Sequence, residues 1–326
     1  MNLKKHILAF VFVAFLSLLP LFFSSPVLLH ALILIYFWAF LAMSWNIIGG
    51  FAGQLSLGHA AYVVIGAYVS TLLYLRWNIS PWISMFGGGL AASMLSVIIG
   101  YPCFKLRGAY YALATLAFAE LVRVLIANTD RFMGFQINGP RGILLPVLGH
   151  APAYFQFVNK VYYYYIILAF CAVLTILLLF IGKSRFGYYL TAIREDQEAA
   201  EAVGINVMWC KLFAGILSSF FTALGGVFYA QYVLFISAGS IGSIHISLEM
   251  VFISIVGGKG TLMGPIIGAF LLTPLGELTR VYLGGAYMGI HLVLYGLVLI
   301  LVVKFMPSGV IYPLQRLYNK IMKTQG

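Results

Sequence analysis

The chain has 326 residues, of which 63% are hydrophobic and only 8% charged, with a mean hydropathy of +1.02. Soluble domains carry about 25% charged residues, so a water-soluble globule is excluded. The formal net charge of +11 does not signal nucleic acid either, because the basic residues stand at the ends of apolar runs, where they set orientation and meet anionic lipid.

Apolar runs fall at 7–23, 27–48, 57–75, 82–101, 108–127, 161–182, 211–235, 246–257, 262–280 and 288–304. They predict an all-α polytopic membrane protein with about 8–10 transmembrane helices, some short or broken. One transmembrane domain then covers residues 1–326. The first run follows a basic start, as in a signal peptide, but "FSSP" (23–26) lacks a small-residue cleavage site, so 1–29 reads as a retained first span. The run at 246–257 is too short to cross straight through and reads as a broken or buried span, covered by other protein. "VYYYYI" (161–166) reads as an aromatic belt at a membrane interface.

Lysine and arginine excess sets orientation. Lys4 and Lys5 place the N-terminus in the cytoplasm, and Lys105, Arg107 and the 183–211 loop with Lys183, Arg185, Arg194 and Lys211 follow on the same side. The basic tail 306–326, with Arg316, Lys320 and Lys323, returns the C-terminus there. The 128–160 connection falls outside, with Arg131, Arg141 and Lys160 mildly opposed to that placement. The three cysteines (Cys103, Cys171 and Cys210) lie far apart in or beside apolar runs, with no metal or disulfide spacing.

Two glycine-rich breaks interrupt the runs, "GGFAGQLSLGHA" (49–60) and "GGKGTLMGP" (257–265), and each contains G-x-x-G-x-L. They are open to two readings: tight turns with close helix approach, or a translocation pathway at broken helices. "GGKGT" is not a phosphate loop, because G-x-x-x-x-G-K-[ST] is not met.

Four of the eight acidic residues, Glu195, Asp196, Glu198 and Glu201, crowd into the loop between two apolar runs. The spacing predicts one amphipathic helix over 191–203, with Leu190, Ile193, Ala200 and Val203 on one stripe and the glutamates on another. Gly204 follows at the position where helices turn left-handed. A solvated loop helix or a lipid-surface helix would be the plainer readings, but acids are repelled by anionic lipid. Docking of this helix into a groove of a protein partner fits better.

"AIREDQEAAEAVGIN" (192–206) resembles the EAA-type coupling loop of ABC importer permeases. The longer "RFGYYLTAIREDQEAAEAVGINV" is similar to the LivM-type permeases of branched-chain amino acid uptake systems. So are "GGFAGQLSLGHAAYVVIGAY" (49–68), "LRGAYYALATLAFAELVR" (106–123), "NGPRGI" (138–143) and "GGKGTLMGPIIGAF" (257–270), in the same order. "NGPRGI" lacks the doubled glycine often found there, and Lys259 stands where an apolar residue is common.

The resemblance spans residues 30–305, with the coupling loop at 183–210. It implies half of the translocation pathway of an ATP-driven importer in the bacterial inner (cytoplasmic) membrane. It also implies two cytoplasmic ABC ATPase subunits, a homologous second permease subunit and an extracytoplasmic substrate-binding protein. The chain would be no enzyme and would hold no cofactor or metal, since ATP is used by the partner subunits. Ala192, Ile193, Arg194, Glu195, Asp196, Glu198, Ala199, Ala200, Glu201 and Gly204 would form the ATPase-coupling helix.

Gln54, Ser56 and His59 cluster at the first break and are candidates for the translocation path, although a lone histidine is more often a packing residue. Glu120 with Arg123, and Glu277 with Arg280, are i,i+3 pairs that read as structural. Glu249 has no lysine or arginine one turn away and is the better candidate for the path, for gating or for a subunit contact. A permease for urea or short amides is the alternative within the family. An ion-coupled secondary transporter is the alternative from another class, and it would not require a docking loop. No HExxH or GxSxG marks an intramembrane enzyme.

Overall fold

A computed structural model of the protein describes residue 20 and residues 25–132, 135–137, 139, 141–147, 149, 152–283, 290–306 and 309–313. The first apolar run, 7–23, apart from Pro20, and most of the basic tail lie outside the described residues.

Twelve helices can be followed among the described residues. The chain enters α1 (Pro26–Asn46) with a proline in the first turn, where no backbone N–H is needed. A π turn (Ile47–Phe51) ends that helix at the first glycine break. Next come α2 (His59–Trp77), α3 (Pro81–Cys103, again opened by proline), α4 (Ala109–Ala127) and α5 (Lys160–Lys183). A short pair, α6 (Arg185–Glu195) and α7 (Gln197–Ala202), leads into α8 (Val207–Val233). The chain closes with α9 (Ala238–Ile241), α10 (Ile244–Gly257), α11 (Gly264–Leu283) and α12 (Ile290–Phe305).

Seven of these stretches are long and apolar enough to cross a membrane, with α9 and α10 counted as one interrupted span, Ala238–Gly257. The short run expected at 246–257 is therefore longer than the hydropathy indicated, because Ser237 caps a preceding turn of helix by accepting from the Ser240 N–H. The 16 residues of α12 fall short of the ~20 that a straight crossing needs.

α1 is the most buried span, packed on all sides by α5, α8, α10 and α11. α4 and α5 are the least buried and present Leu113, Leu121, Leu125, Ile176 and Phe180 outward, the surface that hydrocarbon demands. The most extensive helix contacts are among α2, α3 and α8, where glycines remove the side chains that would hold backbones apart. A Cβ at Gly226 would overlap the Val63 carbonyl, one at Gly66 the Ala223 carbonyl, and one at Gly88 would lie 2.8 Å from the Gly66 carbonyl.

The few strands pin the 128–160 connection. β1 (Arg131–Phe132) pairs antiparallel with β2 (Phe135–Gln136). β3 (Ile143–Leu144) pairs with β4 (Phe235–Ile236), directly after α8, and the Leu145 N–H adds a bond of 2.9 Å to the Leu234 carbonyl. The connection thus sits at the C-terminal end of α8, while the 183–206 loop sits at its N-terminal end. The two loops lie at opposite ends of the bundle, as expected for opposite sides of a membrane.

Candidate functional site

The acidic stretch is two helices, which corrects the single helix expected over 191–203. Asp196 has extended backbone angles (φ −155°, ψ 112°) and caps α7, its Oδ1 accepting from the N–H groups of Glu198 (2.9 Å) and Ala199 (3.1 Å). Aspartate competes with the helix by offering its own carboxylate to nearby N–H groups, so the chain bends at Asp196 although both flanks are helical by composition. At the other end α7 closes with both bonds of a Schellman turn. The Gly204 N–H reaches the Glu201 carbonyl and the Ile205 N–H the Ala200 carbonyl, each at 3.0 Å, with Gly204 left-handed at φ +87°. Ser184 caps α6, and Asn206 caps α8 through the Trp209 N–H at 3.1 Å. The result is a capped elbow between α5 and α8.

The elbow points its apolar stripe inward. Leu190, Ile193 and Ala200 are buried, and Ile193, Ala200 and Val207 form a small core of their own. Three of the four stripe residues are therefore covered by this chain, while Val203, expected on the same stripe, is exposed with Trp209 on the face that carries Glu195 and Glu198. Glu198 reaches Arg107 at 2.5 Å, which ties the elbow to the α3–α4 loop and holds the Arg107 guanidinium above its usual pKa range through that hydrogen bond. The pair is exposed, so its net contribution to stability is small. Glu201 accepts from Gln197 at 3.0 Å. Underneath, the fully buried Lys211 donates to Gln197 Oε1 at 2.7 Å, which braces α7 against α8.

Loss of the cap gives a local prediction. In Asp196→Ala the Glu198 and Ala199 amides should exchange hydrogen about five- to tenfold faster, as expected for a cap worth ~1 kcal/mol, while Asp196→Asn stays near the parent. Unchanged exchange in the alanine variant would refute the assigned cap.

The two G-x-x-G-x-L breaks meet at the elbow. Asn46, at the end of α1, accepts from the Gly260 N–H (2.8 Å) and donates Nδ2 to the Thr261 carbonyl (2.9 Å), joining one break to the other. Arg194 of α6 lies against both. The fourth residue of each motif, Gly53 (φ +70°) and Gly260 (φ +74°), is left-handed and has no room for a side chain. A Cβ at Gly53 would be 2.8 Å from Arg194 Cγ, and one at Gly260 would be 2.5 Å from Arg194 Nη1. The guanidinium also pairs with Glu195 at 2.7 Å and reaches the Gly50 carbonyl at 3.5 Å, a long contact. Ala192 is partly buried beside the small core, and Ala199 occupies the capped first turn of α7.

The three polar residues at the first break separate. Gln54 is half-buried, with its N–H on the Ile48 carbonyl. Ser56 and His59 are buried in a chain between helices. Ser218 Oγ donates to the Ser44 carbonyl (2.7 Å), which leaves it to accept from His59 Nε2 (2.8 Å), while His59 Nδ1 accepts from Ser56 Oγ (3.1 Å). This bonding assigns the Nε2–H tautomer. The space beside them is about 10 Å³, room for one water molecule. Glu249 stands elsewhere, on a cavity of about 220 Å³ that also borders Glu277, a residue assigned to a pair on its own helix by sequence spacing. The side chain of Arg280 lies outside the described residues. Glu120 and Arg123 are bonded to each other, in line with the structural reading.

The family described as branched-chain amino acid transport system / permease component matches residues 27–303. The chain is 28% identical over 262 residues to the high-affinity branched-chain amino acid transport system permease protein LivM of Escherichia coli (strain K12), covering 74% of this chain and 60% of that protein. It is 23% identical over 293 residues to LivH of the same strain, covering 84% of this chain and 91% of that protein. It is also 28% identical over 198 residues to the guanosine ABC transporter permease protein NupQ of Bacillus subtilis (strain 168), covering 55% of this chain and 59% of that protein. No solved structure is significantly similar to it. With seven membrane-length stretches among the described residues, a capped elbow between α5 and α8 and a family match that runs from the start of α1 to the end of α12, the chain belongs to the branched-chain amino acid transport permease family.

Proposed function

We infer that the protein is a multi-pass permease subunit of an ATP-driven importer in the cytoplasmic membrane and forms half of the translocation pathway for branched-chain amino acids. The elbow and both termini face the cytoplasm in this reading. Two ABC ATPases grip the elbows, a homologous permease completes the pathway, and an extracytoplasmic binding protein delivers substrate; ATP is hydrolysed on the partners. The observation that carries the reading is the contact of Arg194 with both glycine breaks. Movement of the docked elbow then acts on the discontinuities of two spans at once, which is what conversion of ATPase closure into rearrangement of a pathway requires.

The test is reconstitution in proteoliposomes with the ATPases, the second permease and the binding protein, with a cysteine at Val203. Expected results are leucine uptake that requires ATP and binding protein, and crosslinking of Val203→Cys to an ATPase. Uptake driven by a proton gradient with no ATPase present would instead establish a secondary transporter. Preference for guanosine or urea over leucine would keep the importer and replace its substrate.

A further inference from the structure

The exposed mid-span residues of α3 and α5 are apolar, with Leu90, Met94 and Ile98 on one and Val173, Ile176 and Phe180 on the other. α4 differs. Its exposed residues Tyr110, Leu113, Ala117, Glu120 and Val124 recur at alternating steps of three and four, the spacing of a helix–helix seam. A carboxylate stands in that seam. With α4 ending at Ala127, a rise of about 1.5 Å per residue puts Glu120 ~10 Å inside the span.

The carboxylate is fixed in place. Arg123 donates Nε to Glu120 Oε2 at 2.8 Å and Nη2 to the other oxygen. The arginine stem in turn packs against the break between α9 and α10, where a Cβ at Gly242 would lie 3.0 Å from Arg123 Cγ. Even so paired, the Glu120 side chain is 51% exposed and that of Arg123 29%.

Lipid suits Leu113, Leu121 and Val124 on this face, but hydrocarbon cannot satisfy the remaining lone pairs of a carboxylate. Water suits the carboxylate and not the apolar residues around it. A packed protein helix serves both. The ATPases and the binding protein of the importer reading lie outside the bilayer, so the cover is another membrane-embedded subunit. A second copy of this chain, related by a two-fold axis along the membrane normal, would set Glu120 against Glu120 at equal depth, two like charges away from water. A homologous but non-identical permease is free of that symmetry and can offer a hydrogen-bond donor there.

Resting on the importer reading, we propose that the outward face of α4 is the surface on which the second permease subunit packs. The seam takes a span helix of that partner, apolar against Leu113, Leu121 and Val124 and carrying a donor at the level of Glu120. The acid–base pair thereby fixes the register of the two subunits and favours the mixed pair over two identical chains, as a single polar seam residue does in coiled coils.

Two measurements test this in the assembled importer. With the photocrosslinking residue p-benzoylphenylalanine in place of Leu121, illumination should join this chain to the second permease, while the same residue in place of Ile176 on α5 should give lipid adducts alone. Glu120→Leu combined with Arg123→Leu, which suits lipid better than the parent, should lower the amount of second permease that co-purifies with this chain tenfold or more, while the chain by itself keeps its size-exclusion profile. The crosslink leaves the pair untouched and so decides the matter even if the double variant fails to fold. Adducts at Leu121 that hold only lipid, another part of the same chain or a second copy of it, or parental co-purification in the double variant, overturn the proposal while ATP-driven leucine uptake keeps the importer reading. An active importer that contains no second permease overturns that reading itself, and the proposal with it.

Discussion

Gly226→Leu is expected to remove most folded permease from detergent extracts of the membrane, read as loss of the monodisperse peak in size-exclusion chromatography. Even the first added carbon would overlap the Val63 carbonyl, and backbone cannot rotate aside as a side chain can. Overpacking of a close-packed core costs about 1–3 kcal/mol when only side chains must shift, and here α2 and α8 must separate. Their separation disturbs α3 as well, because Gly66 and Gly88 are stacked in the same contact. Gly226→Ala should show the same defect in milder form. Gly296, on α12, is the control: among the described residues nothing lies within 4 Å of its would-be Cβ. Alanine there should be neutral or stabilising by ~0.5–1 kcal/mol, the usual penalty of glycine inside a helix. A parental profile for Gly226→Leu would refute the close approach of α2 and α8.

Arg194→Ala should lower ATP-driven uptake about tenfold while the ATPases continue to turn over, a loss of coupling within the ~1–3 kcal/mol common between linked sites. The substitution leaves the caps of α6 and α7 intact, so the elbow keeps its shape and its exposed face. What disappears is the side chain wedged against Gly53 and Gly260. Arg194→Lys should fall between the two, because lysine retains a charged stem without the planar fork. If uptake per ATP hydrolysed is unchanged in Arg194→Ala, force passes from elbow to spans by another route.

Much of the fold was written in the composition. An apolar run reports its own membrane crossing, and α5 falls at Lys160–Lys183 against an expected 161–182. Gly204 was legible as a helix terminator because its signal is local: a glycine just past a periodic segment. The bend at Asp196 was not, since periodicity reads Leu190 to Val203 as continuous and the competing carboxylate bonds need coordinates to be seen. The inward-facing apolar stripe was misjudged for a related reason. Amphipathicity states that a face is covered without stating by what, and here the covering is Val207 and its neighbours.

Long-range pairs were the least accessible. The repeated G-x-x-G-x-L was visible, yet only the fold brings Asn46 to Gly260, 214 positions away, and sets Arg194 between the two copies. Glu277 illustrates the same limit. Sequence spacing offers it Arg280 one turn along, and the packing of α10 beside α11 also brings it to a cavity that Glu249 borders.

The elbow is held by bonds within this chain: an aspartate carboxylate capping one end, a left-handed glycine turn at the other, and a buried lysine side chain bonded to Gln197 beneath. A contact surface already ordered before its partner arrives loses little conformational entropy on engagement. In the proposed importer, grip and release by the ATPases would then alternate without refolding, and engagement should show only the modest heat-capacity change of surface burial.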